Sequence, residues 1–273
     1  MLFGPAERTD FVAKFVDAGA DIGVLDLEDA TPESRKSEAR KAITDAMPGA
    51  FPTGEMVFFV RTNALETPHF DLDLQAAADA KAQGLVVPKL ETATQVDDVR
   101  GRMAKIGIDH LLVCAGIESV AGVHQAVEVA GGGVDLVYFG AEDFITDLGG
   151  VRTESNTEVL HARSQVAIAA RLGGVPALDQ VVVDYRDDDR FTAEALNARS
   201  FGYAGKLCIH PNQVPLANTA FSPSADELDW ARGVVAAADE AEQAGMGVVS
   251  YEGTMVDAPI VERARHLLER FSG

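Results

Sequence analysis

Acidic residues follow several short apolar runs in this sequence, and carboxylates in such positions can bind a metal ion or move a proton. Glu118 directly follows the run LVCAGI, and Asp143 comes four residues after VYF. Mg²⁺ and similar hard cations prefer oxygen ligands, commonly one or two carboxylates together with waters and substrate oxygens. The sequence has no His-rich or Cys-rich cluster, which disfavours zinc. The pair therefore predicts a site for a hard divalent cation.

Other apolar runs also end in polar residues. One acid after a strand is equally well explained as a helix N-cap, as for Asp29, and His210 is equally compatible with a structural role. Five charged run ends together favour one shared site, because catalytic residues of a parallel barrel meet at the carboxyl ends of its strands. The five charged ends carry Glu28 and Asp29, Arg61, Lys89, Glu118, and Asp143, and His210 follows a sixth run.

Eight short runs rich in β-branched residues alternate with segments of helical spacing, which predicts repeated strand-helix units and a parallel sheet. The predicted strands are Leu2–Gly4, Ile22–Leu27, Met56–Arg61, Gly84–Pro88, Leu111–Ile117, Val134–Phe139, Gln180–Val183 and Gly205–Ile209. The predicted helices between them are Thr9–Ala18, Pro32–Ala46, Phe70–Ala82, Ala93–Lys105, Ala121–Ala130, Glu158–Leu172 and Ala193–Phe201.

Eight such units favour a closed (β/α)₈ TIM barrel over a doubly wound open sheet. No G-x-G-x-x-G motif follows the first strand, and GGGVD at Gly131 precedes a strand instead of opening a helix. Ser222-Pro223 marks a boundary. We therefore predict a catalytic barrel over residues 1–222 and a C-terminal helical extension, or lid, over 223–273, with helices at Ala225–Ala244 and Ala258–Phe271 and the segment Val248–Asp257 between them.

The charge and hydropathy patterns exclude several classes of partner. A formal net charge of -20 opposes binding to nucleic acid, and it makes any anionic substrate depend on a local cationic site. No stretch approaches the roughly 18 to 20 apolar residues that span a bilayer, and the N-terminal run lacks the features of a signal peptide. We expect a cytoplasmic protein in which Cys114 and Cys208, both inside apolar runs, are reduced and buried.

Motifs along most of the chain are similar to those of the HpcH/HpaI aldolase and citrate lyase family, in particular its CitE-like, malyl-CoA and citramalyl-CoA lyase branch. They run in order from the first residues to about residue 261. The matching segments are LFGPAER, LDLEDATPESRKSEAR, VRTNA, VPKLE, GIES, GAEDFITDLGG, GYAGKLCIHPNQV and YEGTMVDAPIV.

The resemblance implies a Mg²⁺-dependent lyase, with Mn²⁺ as a second candidate cofactor, that cleaves or forms a 3-hydroxyacyl-CoA thioester and a small oxo acid such as pyruvate, glyoxylate or oxaloacetate. It assigns the metal to Glu118 and Asp143 and the substrate carboxylate or thioester oxygen to Arg61. Glu28 and Asp29 would lie around the metal. The resemblance also implies a homotrimer.

Two further sets of residues take roles from the resemblance. Asp257 matches an acid that a C-terminal lid delivers to a neighbouring subunit, although its position before a helix with Pro259 is also that of an ordinary N-cap. Cations that could contact CoA are Arg8, Lys36, Arg40 and Lys89. Lys36 and Arg40, four apart, would share one helix face, and this face is equally well explained as a solvent-exposed helix surface.

Two positions depart from the family pattern. Ala30 replaces a frequent glycine after LDLED, and Ala121 replaces a frequent arginine three residues after Glu118. Neither change removes a metal ligand, but the missing arginine leaves the substrate open. Alternatives are a metal-dependent 2-keto acid aldolase, a thioesterase on the same site, or a non-catalytic subunit that binds an acyl-CoA or an acyl carrier protein.

Overall fold

The computed structural model describes residues 1–47, 56–243 and 249–271. Within them, eight parallel strands form one sheet in which each strand pairs with the next along the chain. They are β1 Leu2–Pro5, β2 Ile22–Asp26, β3 Val57–Arg61, β4 Gly84–Val87, β5 Leu112–Ile117, β6 Leu136–Phe139, β7 Ala177–Asp179 and β8 Gly205–Lys206.

Helices separate these strands, and 3₁₀ turns at Glu33–Arg35 and Thr157–Val159 lead into two of them. The helices of this part are α1 Phe11–Asp17, α2 Lys36–Ala46, α3 Phe70–Asp79, α4 Ala93–Lys105, α5 Val120–His124, α6 Ala126–Gly131, α7 Ala141–Leu148, α8 Leu160–Gly173, α9 Asp188–Ser200 and α10 Gln213–Phe221.

The sheet closes on itself after β8. Phe3 donates its backbone N–H to the carbonyl of Cys208 over 2.9 Å, and the N–H of Cys208 donates to the carbonyl of Met1 over 2.8 Å. A parallel bridge between Leu2 and Cys208 lies at the same place. The predicted (β/α)₈ barrel is confirmed.

Alternate residues of the strands fill the barrel interior, since successive side chains of a strand point to opposite faces. Its lower layers are an apolar cluster with residues from β2 to β7, together with Met1 before β1 and Leu207 after β8. In β2 and β5 the same face continues upward into polar residues, from Val24 to Asp26 and from Cys114 through Gly116 to Glu118. The inward-facing residues of these strands are thus apolar at the barrel floor and charged at its rim.

Several element boundaries differ from the sequence prediction. Strand seven was predicted at Gln180–Val183, but β7 is Ala177–Asp179. The single helix predicted at Ala121–Ala130 is divided into α5 and α6 near Gln125. Helices α7 and α10 were not predicted. By contrast, α4 begins and ends where its pattern predicts, because Thr92 and Gln95 form a reciprocal capping box.

The chain divides into two compact units, Met1–Asn218 and Thr219–Gly273. The second unit contains α11 Ala225–Gln243, a two-stranded antiparallel hairpin of β9 Val249–Tyr251 and β10 Thr254–Val256, and α12 Ala258–Phe271. Glu252 and Gly253 turn the hairpin with positive φ angles of 47° and 79°, as two-residue hairpin loops require. Two predicted boundaries lie outside the described residues: the end of the helix Ala225–Ala244 and the start of the segment Val248–Asp257.

Both cysteines are free and buried, as predicted. Burial raises the pKa of the Cys114 thiol above its ordinary value, which makes this group unreactive. Among the described helices, none combines the length and the apolar character needed to cross a membrane.

Candidate metal and substrate site

A cavity of 490 Å³ opens at the carboxyl ends of the barrel strands. Its wall has an acidic side and an apolar side. The acidic side carries Asp26, Asp29, Glu118, Glu142 and Asp143 around the guanidinium of Arg61, and the apolar side includes Phe3, Val181, Leu207 and Ile209. Arg61, Asp29, Glu118 and Asp143 thus come together from four separate segments of the sequence.

Glu118 is buried in the acidic side and is only 3% exposed. The hydroxyl of Tyr138 donates a hydrogen bond to its Oε1. Burial raises the pKa of the Glu118 carboxyl to about 7, and the hydrogen bond from Tyr138 opposes the shift. Gly140 provides the space, because a Cβ there would stand 2.6 Å from Cγ of Glu118.

The residues present fit a divalent cation. Oε2 of Glu118 is buried and has no hydrogen-bond partner among the described residues, and an unpaired buried carboxylate oxygen is costly unless a cation faces it. Asp143, in the first turn of α7, lines the same cavity and is 42% exposed. Within the described residues, no three His, Cys, Asp or Glu side chains are arranged so that they could hold one metal ion together. This set suits Mg²⁺, which keeps several waters and binds few carboxylates.

Asp26 is the residue that positions Arg61, and the sequence prediction did not single it out. Its Oδ1 accepts from Nε of Arg61 over 2.7 Å, and its Oδ2 pairs with Nη2 at 2.5 Å. Its two oxygens also accept the backbone N–H groups of Glu28 and Ala30. Alternation could have revealed it, because Asp26 and Glu28 are two residues apart and so share the inward face.

Arg61 also contacts the two acids predicted to lie around the metal. Its Nη1 is 3.3 Å from Oε2 of Glu28, and its Nη2 is 3.2 Å from Oδ2 of Asp29. Burial raises the pKa of Glu28, while the charge of Arg61 opposes the rise. All three guanidinium nitrogens therefore face acids, which fixes the direction in which Arg61 points.

Lys89 contacts both Glu28, next to Arg61, and the predicted metal ligand Asp143. Its Nζ lies 3.2 Å from Oε1 of Glu28 and 3.3 Å from Oδ1 of Asp143. Burial lowers the pKa of Lys89, but the two carboxylates outweigh it and the pKa is raised overall. Its backbone has a positive φ of 57°, a conformation that is uncommon in residues other than glycine. The surrounding structure thus imposes the position of this ammonium between two acids.

None of the four predicted CoA contacts lines this cavity, and the three besides Lys89 are held by partners other than the carboxylates around Arg61. Lys36 is 7% exposed, and its Nζ donates to the carbonyls of Leu27 and Glu28. Arg40 pairs with the buried Asp73 at 2.9 Å. Arg8 is exposed and is held by Asp10.

Lys36 therefore has a structural alternative to the role in CoA binding. Its ammonium fixes the loop that carries Glu28, and a helix face open to solvent, which the sequence suggested for this residue, is not observed. His210, whose role the sequence left open, stacks on Tyr185 with ring centroids 4.7 Å apart and accepts the N–H of Asn212.

The loop role of Lys36 can be measured. In Lys36→Met we expect the free energy of unfolding to fall by about 2 to 3 kcal/mol, because a hydrogen bond to a charged group contributes about 1.5 to 3 kcal/mol. The affinity for CoA should stay unchanged. Urea denaturation and calorimetric titration with CoA measure the two quantities. Lys41→Met, on the exposed side of the same helix, is the control. Weaker CoA binding at unchanged stability would instead support the role implied by the resemblance.

Asp257 belongs to the second unit. It is exposed and precedes α12, where its Oδ1 accepts the N–H of Ile260 over 3.4 Å. The N-cap interpretation therefore describes a contact that exists, although a long one. Of the two departures from the family pattern, Ala30 lines the cavity, and Ala121 lies in the first turn of α5, three residues after Glu118.

The fold and this geometry define a class, a (β/α)₈ barrel with an acidic site at the carboxyl rim that suits a divalent cation. Comparison with known proteins narrows this class to one family. The family model of the HpcH/HpaI aldolase/citrate lyase family matches residues 1–211. The chain belongs to this family.

Individual relatives extend the similarity over the full chain. A citrate lyase subunit beta-like protein of Deinococcus radiodurans is 44% identical, covering 98% of this chain and 95% of its own. The mitochondrial citramalyl-CoA lyase of Mus musculus is 28% identical, covering 98% and 84%. Among solved structures, CitE from Mycobacterium tuberculosis in complex with magnesium, acetoacetate and coenzyme A has a TM-score of 0.84 and 34% identity, covering 100% of this chain and 97% of that one.

Proposed function

We propose that this protein is a Mg²⁺-dependent carbon–carbon lyase that cleaves, or forms, a 3-hydroxyacyl-CoA thioester such as citramalyl-CoA, malyl-CoA or citryl-CoA. The observation that carries the proposal is the buried Oε2 of Glu118, which has no hydrogen-bond partner in the described part of the chain and shares its cavity with Asp143. The similar CitE structure contains magnesium, acetoacetate and coenzyme A. Mn²⁺ is a second candidate for the same ligands.

The charge of the cavity supports a cation cofactor. Among the described residues, five carboxyl groups and one guanidinium line it, and the whole chain has a formal net charge of -20. An acyl-CoA and an oxo acid are both anions, so the protein alone would repel them. A bound divalent cation supplies positive charge against the negative charge that develops on oxygen beside the breaking carbon–carbon bond.

The residues around the cavity have separate tasks in this scheme. Asp26 holds Arg61 in one direction, so that Arg61 can orient a substrate carboxylate or thioester oxygen without first losing side-chain entropy. Glu28 contacts Nη1 and Asp29 contacts Nη2 of the same guanidinium, and in this scheme both acids would hold waters bound to the cation. The apolar side, with Val181 and Leu207, provides room for the acyl carbon chain and limits the access of water.

The proton that replaces the broken bond needs an acid, and we assign it to Asp257. This acid is exposed at the start of α12 in the second unit, so it is free to act in a site other than that of its own barrel. In a homotrimer, Asp257 of one subunit would serve the cavity of a neighbour. Arg8 and Lys89 are the cations that we propose for the phosphates and the thioester end of CoA, and we place the protein in the cytoplasm.

The function is tested by incubating the purified protein with citramalyl-CoA or malyl-CoA and Mg²⁺ and separating the products. Formation of acetyl-CoA and an oxo acid, pyruvate from citramalyl-CoA or glyoxylate from malyl-CoA, supports the lyase. Loss of activity in EDTA and its return with Mg²⁺ would tie turnover to the cation. Free CoA without carbon–carbon cleavage would identify a thioesterase, and tight CoA binding without turnover would identify a binding subunit. Either result would overturn the proposal.

A further inference from the structure

The hydroxyl of Tyr138 makes the two oxygens of Glu118 unequal. Tyr138 is 2% exposed, and its hydroxyl donates to Oε1. Oε2 has no hydrogen-bond partner within the described residues. One oxygen of the predicted metal ligand is therefore occupied by the protein, and the other is left for a ligand.

Two glycines, Gly116 and Gly140, leave the space that Tyr138 and Glu118 occupy. Tyr138 in β6 is paired in register with Gly116 in β5. A Cβ on Gly116 would lie 2.5 Å from the Tyr138 hydroxyl oxygen and 3.0 Å from Cα of Pro88, and one on Gly140 would lie 2.9 Å from Oε1 of Glu118. Gly116 and Gly140 thus leave the room that the Tyr138 hydroxyl and the Glu118 carboxylate occupy, and a side chain at either position would displace this pair.

A carboxylate with one free oxygen suits some cations better than others. Ca²⁺ binds six to eight oxygens, often with both oxygens of one carboxylate, in flexible geometry. Mg²⁺ is smaller, demands near-octahedral geometry and binds through one or two carboxylates with retained waters. A ligand restricted to a single oxygen therefore favours Mg²⁺ over Ca²⁺.

We propose that Tyr138 is a specificity-determining residue for the metal, which holds Oε1 of Glu118 and thereby restricts this ligand to one oxygen. The inference rests on the proposed metal site at Glu118 and Asp143. It adds to that site a residue that touches no cation itself and acts through the position of Glu118. Removal of the hydroxyl should free Oε1 and let Glu118 offer both oxygens.

The test is the ratio of the dissociation constants for Ca²⁺ and Mg²⁺, measured by displacement of Mn²⁺ and followed by the electron paramagnetic resonance signal of free Mn²⁺. In Tyr138→Phe the ring remains in the barrel core, and we expect the ratio to shift about tenfold towards Ca²⁺ because a second carboxylate oxygen becomes available. A general loosening of the site would weaken both cations together and leave the ratio unchanged.

Tyr203→Phe is the matched control. Tyr203 is also 2% exposed and donates its hydroxyl to a buried acceptor, the carbonyl of Arg163, over 2.9 Å, but it does not line the cavity. Its ratio should equal that of the wild type. Tyr138→Met provides a second side chain without a hydroxyl, should the phenylalanine variant fail to fold.

The outcomes separate this inference from the proposed function. A wild-type protein that binds Mn²⁺ through Glu118, together with an unchanged ratio in Tyr138→Phe, overturns the role of Tyr138 and leaves the metal site intact. If the wild type binds none of the three cations, the metal site fails, and the role of Tyr138 fails with it.

Discussion

Replacing Glu118 by glutamine is expected to lower kcat/KM for the acyl-CoA substrate by about 10³-fold or more, since removing one group that stabilises charge in the transition state typically costs about 10²- to 10³-fold and a metal ligand is lost as well. The substitution keeps the shape of the side chain and removes its negative charge. Steady-state rates at saturating Mg²⁺ and the affinity for Mn²⁺ should fall together. A buried carboxyl whose pKa is raised to about 7 costs stability when ionised, so folding should be preserved.

Glu194→Gln is the control for this prediction. Glu194 is also buried, at 8% exposure, but its partners include Arg190, Lys206 and Gln180, and it does not line the cavity. Its activity per folded molecule should match the wild type. Full activity in Glu118→Gln would show that this residue does not hold the cation.

Replacing Asp257 by asparagine should lower kcat by about 10²- to 10⁴-fold, the usual contribution of a general acid or base. Asparagine is as good an N-cap as aspartate, so the start of α12 should remain and the thermal unfolding midpoint should not change. Asp257→Ala removes both functions and should lose about 1 kcal/mol of stability in addition. If Asp257→Asn keeps the full activity of the wild type, Asp257 is only an N-cap.

Subunit mixing tests whether Asp257 acts on a neighbour. Inactive Asp257→Ala and inactive Glu118→Ala proteins are mixed under conditions that permit subunit exchange. If the acid works in trans, some mixed sites combine an intact Glu118 with an intact Asp257, and activity returns. Exchange itself is demonstrated separately, for example by mass spectrometry of the mixed assembly. A mixture that has exchanged subunits but stays inactive would contradict the assignment.

The barrel could be predicted from the sequence because its strands are short apolar runs at regular intervals. β7 shows where this rule fails. The most apolar run there, Val181–Val183, follows the strand instead of forming it, and Val183 is 60% exposed. The true strand ends in Asp179, which is buried because Arg163 and Lys206 pair with it at 3.0 and 2.7 Å. Partners 16 and 27 residues away do not show in a local hydropathy pattern.

Two helices escaped prediction for local reasons. α7 begins within the motif that supplies Asp143, and its short length of eight residues gives little periodicity. α10 contains Pro215, which resembles a helix breaker. Proline in the first turn of a helix is tolerated because the N–H that it lacks would have no intrahelical partner.

The candidate site was predictable to the extent that it depends on strand ends. Glu118 and Asp143 line one cavity because β5 and β6 are neighbours. Tyr138, inside an apolar strand, looked like core and lies against a predicted metal ligand. Lys36 looked like a surface cation, but the loop after β2 folds back over it. Whether such a side chain is exposed or buried depends on the direction of a neighbouring loop, and tertiary contacts set that direction.

The central claim is that Glu118 and Asp143 hold the catalytic cation, and a crystal structure of the wild-type protein grown with Mn²⁺ tests it most directly. Anomalous difference density identifies the metal without reference to activity. We expect one strong peak in the barrel cavity, in contact with Oε2 of Glu118 and the carboxylate of Asp143 and absent from Glu118→Gln. A peak elsewhere, or a cavity without manganese at saturating concentration, would contradict the claim.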